Sequence, residues 1–139
     1  MERPYTIDHF DHIVLRVSDI ERAVAFYSAL GGEVCIRRPT NVSLDMGGGT
    51  RVTLSLDETF QPPEVSSVDH LNFAVNTSDM RLVADYLRAQ GLDAVVDEAR
   101  SHSSPSVRLL DPERNVVELR LAGLDAAALQ DGGLRRPSA

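Results

Sequence analysis

An internal repeat constrains this chain more than any other feature. Asp11-His12-Ile13-Val14-Leu15-Arg16-Val17 is echoed by Asp69-His70-Leu71-Asn72-Phe73-Ala74-Val75. In both stretches the apolar side chains alternate: Ile13, Leu15 and Val17 in the first, Leu71, Phe73 and Val75 in the second. Alternation with period two is the pattern of a strand that buries one face. It sets His12 and His70 on the other face, at equivalent points of the two repeats.

Each strand runs into a stretch of helical period. Ile20, Ala23, Val24, Tyr27 and Leu30 form one apolar stripe, and Met80, Val83, Ala84 and Leu87 form its counterpart. Ser18 and Glu21 match a capping box for the first helix, and Asp79 or Ser78 can cap the second. Gly31-Gly32 and Gly91 follow the last turns, where a positive φ is often required. Short strands are expected at 33–37, 42–46 and 51–56, and again at 94–97, 106–110 and 116–121. Gly47-Gly48-Gly49 reads as a hairpin turn, as does the stretch from Asp111 to Asn115, and Pro62-Pro63 as a linker. The expected fold class is therefore α+β: paired βαβββ modules, about 8–60 and 66–122, forming one domain over 8–122. The modules would make a curved sheet around a cavity, with the helices outside. Residues 123–139 read as a C-terminal tail, with a short helix possible from Leu124 to Leu129.

Composition narrows the function classes. A net charge of −7 disfavours nucleic acid as a partner, and Arg135-Arg136 is too short to make a basic stripe. No apolar run nears the roughly 20 residues that span a bilayer, so no membrane partner is expected. The N-terminus has no apolar leader stretch, and one cysteine, Cys35, excludes an intrachain disulfide framework. A cytoplasmic location is the expectation that follows. Gly47-Gly48-Gly49-Thr50 lacks the lysine of a phosphate loop. Phe10, Phe26, Tyr27, Phe73 and Tyr86 read as core or cavity wall, and His102, within a serine-rich stretch, as solvated.

The last strand adds a third polar group. Val117, Leu119 and Leu121 take its apolar face and leave Glu118 and Arg120 on the other. A carboxylate in mid-strand needs a partner or water, because burying it alone is costly. If the modules are related by the pseudo-twofold the repeat implies, His12, His70 and Glu118 face one cavity. Two imidazoles and a carboxylate suit a divalent metal (Fe, Mn, Zn or Ni) with open positions for substrate or water. A single strand histidine would more simply be a core residue donating to a carbonyl. Two at matched positions with a carboxylate favour ligation.

These strand openings, Ala25-Phe26-Tyr27 in the first helix, and the stretch from Leu110 to Leu119 resemble signatures of the vicinal-oxygen-chelate superfamily. This is the glyoxalase, bleomycin-resistance and extradiol-dioxygenase type. The stretch Asp111-Pro112-Glu113-Arg114-Asn115 resembles the family's D-P-[DE]-G-N turn. The resemblance spans about 8–122 and implies a glyoxalase-like fold, a homodimer and His12, His70 and Glu118 as metal ligands. In the four-ligand glyoxalase pattern the remaining ligand falls at Thr53, a neutral hydroxyl, so the chain departs from that branch. A His/His/Glu set is what extradiol dioxygenases (Fe) and fosfomycin-resistance enzymes (Mn) use. The fosfomycin branch has a threonine where this chain has Val14, and a tyrosine near Arg108.

Arg16, Thr53, Ser55, Asn72, Arg108 and Arg120 are the candidate substrate-binding residues. The arginines read either as an anion clamp or as surface ion pairs, with Asp45 or Glu118 as partners. Two functions follow. One is a metal-dependent enzyme acting on a small oxygenated substrate by isomerisation or lyase chemistry, epoxide opening or dioxygenation. The other is a metal-free protein of the same fold that binds and sequesters a small molecule or drug. No catalytic base is assigned, and the site could lie within one chain or across two.

Overall fold

The computed structural model describes residues 1–98 and 105–123. His102 and the short helix expected at Leu124–Leu129 lie outside them. The chain divides into two compact units, Met1–Pro62 and Pro63–Ala139. The first runs β1 (His12–Val17), α1 (Ile20–Ala29), β2 (Glu33–Arg37), β3 (Asn41–Asp45) and β4 (Arg51–Leu56). The second runs β5 (Leu71–Val75), α2 (Met80–Ala89), β6 (Val95–Asp97), β7 (Ser106–Leu110) and β8 (Val116–Leu121). The expectation of an α+β fold of paired βαβββ modules holds. Among the described residues, eight strands divide into two four-stranded mixed sheets, one in each unit.

The sheets share one topology. Strand order is β1-β4-β3-β2 in the first unit and β5-β8-β7-β6 in the second. The module's first and last strands pair in parallel, and the remaining neighbours are antiparallel. Opening and closing strands of each module thus lie side by side, which brings residues distant in sequence onto one sheet face.

Each sheet buries one face under its helix. In the first unit Leu15, Val17, Val42, Leu44, Val52 and Leu54 pack with Ala23, Val24, Phe26 and Tyr27 of α1 as the core. In the second, Val107, Leu109, Val117 and Leu119 are buried, with Met80, Ala84 and Leu87 of α2. These are the apolar alternates of the strand patterns and most of the helical stripes. Burial removes them from water at about 25 cal/mol per Å² of apolar surface. The polar alternates remain on the opposite sheet face.

Three local expectations need correction. The first helix is capped by Asp19, not Ser18: Asp19 is extended, and its carboxylate accepts from the Arg22 amide at 3.1 Å. The helix starts at Ile20, which places Asp19 at the position just before its first turn. Tyr86 is exposed because it lies off the Met80, Ala84, Leu87 stripe of α2, and Phe10 is exposed because it precedes β1. The second helix is capped by Asp79, which accepts from the Arg81 amide at 2.9 Å.

Gly32 marks the tightest approach of backbone to core. A Cβ there would sit 2.9 Å from the Tyr27 carbonyl and 2.7 Å from the Met46 sulfur. Arg114 shows the reverse case, a side chain where glycine would suit the backbone. It has φ 68° in the turn between β7 and β8, at the position where the resembled pattern has glycine. The turn holds because Asp111 accepts from the Glu113 amide, the Asn115 amide and the Asn115 side chain at 2.8–2.9 Å. A left-handed conformation costs a residue with a Cβ about 1–2 kcal/mol, partly offset by the larger entropy glycine loses on folding. Arg114→Gly is therefore expected to stabilise the protein by about 0.5–1 kcal/mol. A urea midpoint that fails to rise would contradict this.

Candidate metal and substrate site

The sequence-derived site residues fall into two groups, one on the polar sheet face of each unit. In the first unit β1 presents His12 and Arg16, and β4 presents Thr53 and Ser55. The register pairs Arg16 with Ser55 and Val14 with Thr53. In the second, His70 immediately precedes β5, Asn72 lies on β5, and Glu118 and Arg120 lie on β8. Here the register pairs Asn72 with Glu118 and Ala74 with Arg120. The two ladders correspond residue by residue: Val14 and Thr53 stand in one as Asn72 and Glu118 stand in the other. Thr53 is thus the structural counterpart of Glu118, as the sequence comparison of the two halves expects.

Both histidines are held in the same way. The Asp11 carboxylate lies 2.6 Å from His12 Nδ1, and the Asp69 carboxylate lies 2.8 Å from His70 Nδ1. The His12 contact, with the Arg51 guanidinium beside it, holds the Asp11 carboxyl below its ordinary range. The His70 contact does the same for Asp69, helped by the charge of Arg108. An ionised carboxylate only accepts, so Nδ1 is the donor in each contact and Nε2 is the ring nitrogen left to face a ligand. A carboxylate on the remote nitrogen of an imidazole is the usual support of a metal-ligating histidine. The donor chemistry of both histidines therefore fits a divalent ion. Strand periodicity assigns no role to Asp11 or Asp69, which open the two repeats. Their position directly before each histidine was the signal that could have found them.

Thr53 and Glu118 have different neighbours. Thr53 shares a hydrogen bond of 2.8 Å with the buried Ser43, its register partner on β3. Glu118 instead faces Arg108, its register partner on β7, with Arg108 Nε 3.5 Å from a carboxylate oxygen. That Nε is buried and makes no hydrogen bond. Arg108 is thus an ion-pair partner of Glu118, one of the two readings the sequence left open. Asp45, the other suggested partner for the arginines, lies opposite Arg51 in the β3–β4 ladder. Arg16 contributes its charge to Asp57, a carboxyl held low first by the Thr59 hydroxyl and amide.

Taken separately, neither unit gathers three His, Cys, Asp or Glu side chains fit to hold a metal, among the described residues. His70 and Glu118 belong to one unit and His12 to the other. Among the described residues, no helix is long and apolar enough to cross a membrane.

Comparison with known proteins adds the wider context. The family model for the Glyoxalase/Bleomycin resistance protein/Dioxygenase superfamily matches residues 9–119. The chain is 28% identical over 122 residues to a glutathione transferase, FosA, from Serratia marcescens, covering 86% of this chain and 85% of the relative. A glyoxalase/dioxygenase from Nostoc punctiforme has a similar structure, with a TM-score of 0.74 at 16% identity, over 89% of this chain and 97% of the other. A glyoxalase/bleomycin resistance protein/dioxygenase from Alicyclobacillus acidocaldarius gives a TM-score of 0.66 at 18% identity, over 93% and 99%. At these identities the solved structures speak for the fold.

Proposed function

We propose that this chain, which belongs to the Glyoxalase/Bleomycin resistance protein/Dioxygenase superfamily, is a metal-dependent enzyme acting on a small oxygenated molecule. The observation that carries the reading is the pair of matched Asp–His units, Asp11–His12 and Asp69–His70, each leaving Nε2 available for a ligand. His12, His70 and Glu118 would hold the ion, and the chemistry of these donors suits Fe, Mn, Zn or Ni. When bound, such an ion supplies Lewis acidity toward charge developing on a substrate oxygen.

The chain's own residues would do the rest. Asp11 and Asp69 fix the ring tautomers and orient the imidazoles. Arg16, Ser55, Asn72 and Arg120 offer hydrogen bonds or positive charge to substrate oxygens, on the same sheet faces as the ligands. Thr53 and Arg108 border the ligand positions. Isomerisation, epoxide opening and dioxygenation all remain within this reading. The relative named a glutathione transferase adds weight to group transfer involving a thiol. The proposal includes a cytoplasmic homodimer.

Metal analysis of the purified chain tests the reading. After growth and dialysis with Mn, Fe, Ni or Zn, close to one ion per chain is expected, and His70→Ala should lose it. A second reading is a metal-free small-molecule binder, favoured by the neutral Ser43–Thr53 pair at the fourth-ligand position. Metal absent under every supplementation would establish that reading instead.

A further inference from the structure

The strand register sets a positive charge against the carboxylate proposed as a ligand. Arg108 and Glu118 are direct partners across β7 and β8. Arg108 Nε stands 3.5 Å from Glu118 Oε2, and the Glu118 side chain is 20% exposed against 40% for Arg108. That Nε is buried and donates no hydrogen bond, so the pair is held by charge without directional bonding.

The first unit isolates the effect. Its equivalent ladder position is the Ser43–Thr53 pair, two hydroxyls 2.8 Å apart with no charge. The cation is therefore a property of the second unit's ladder and is not demanded by the fold, which builds the same sheet with neutral residues in its place.

We propose that Arg108 is a positioning residue that restrains Glu118 and lowers the site's affinity for divalent metal. This inference rests on the metal-site reading above. Arg108 acts in two ways. It neutralises the carboxylate that an entering ion must share, and its charge repels an ion seated nearby. A ligand set with a built-in competitor holds its metal less tightly than its donors alone would.

The test is calorimetric titration of Mn(II) into the metal-free full chain, comparing wild type with Arg108→Gln, Arg108→Met and Arg108→Lys. Both neutral variants are expected to bind about tenfold more tightly, the order produced by removing one charge several ångströms from a divalent ion in a water-like dielectric. Arg108→Lys keeps the charge and is expected to stay within about threefold of wild type by the same reasoning. Unchanged thermal midpoints would identify neutral variants that have kept the fold, and either neutral variant suffices for the comparison. If wild type binds Mn(II) in a His70-dependent way but the neutral variants bind no tighter, the restraint is overturned and the metal site stands. Weaker binding in those variants would likewise overturn it and make Arg108 a support of Glu118. If wild type binds no Mn(II), Fe(II), Ni(II) or Zn(II), both proposals fall together.

Discussion

Glu118→Ala is expected to weaken divalent-metal binding by more than about a hundredfold, while leaving the metal-free fold close to wild type. Removing an outer partner of a ligating histidine costs roughly 10–100-fold in affinity. Loss of a charged ligand should exceed that, because the ion forfeits both a bond and a compensating negative charge. The fold should tolerate the change, because the neighbours on the same strand, Val117 and Leu119, supply the buried contacts of β8. Glu118 contributes the partly exposed ion pair with Arg108, and such pairs stabilise by about 0–1 kcal/mol. Metal titration and a thermal melt of the same samples separate the two effects. Undiminished affinity would remove Glu118 from the ligand set, and a collapse of the melt would make it a structural residue.

The largest stability effect is expected at Leu54. It is fully buried on β4, between Leu15 of β1 and Val42 of β3 in the ladders. Leu54→Ala removes three carbon atoms from the middle of the first unit's core, beneath α1. The surrounding strands are pinned by hydrogen bonds on both sides of β4 and can collapse only partly into the space. Leu→Ala changes at such sites cost about 2–5 kcal/mol, a large part of the 5–15 kcal/mol by which domains are stable. Urea unfolding should show the loss as a lower midpoint. A loss under about 1 kcal/mol would mean that β4 is not the centre of a close-packed layer.

The site was only partly legible in the chain. His12, His70 and Glu118 could be named because the alternation of each strand exposes them, and the repeat marks the two histidines as equivalent. Thr53 could be matched to Glu118 because the two halves align. Arg108 was ambiguous, since a strand pattern gives the face of a residue but not which residue sits across from it. Asp11 and Asp69 were overlooked for a related reason: a residue just before a strand has no periodic pattern to fix its direction. Ser18 was chosen as a cap from a sequence motif, and the actual start of the helix gave that role to Asp19.

The sequence by itself determined the doubled βαβββ order, the buried face of most strands and the glycine turns. These depend on neighbours along the chain, where side-chain period and backbone freedom act locally. Only the tertiary structure decided that Arg108 meets Glu118 and that Ser43 meets Thr53. Cross-strand pairing depends on register between segments far apart in sequence. A single extra residue can shift it, as between Val34 and Ile36 in β2, where Leu44 and Ser43 are consecutive partners and Cys35 is left over. No local pattern carries that information, because it arises when the ladders close.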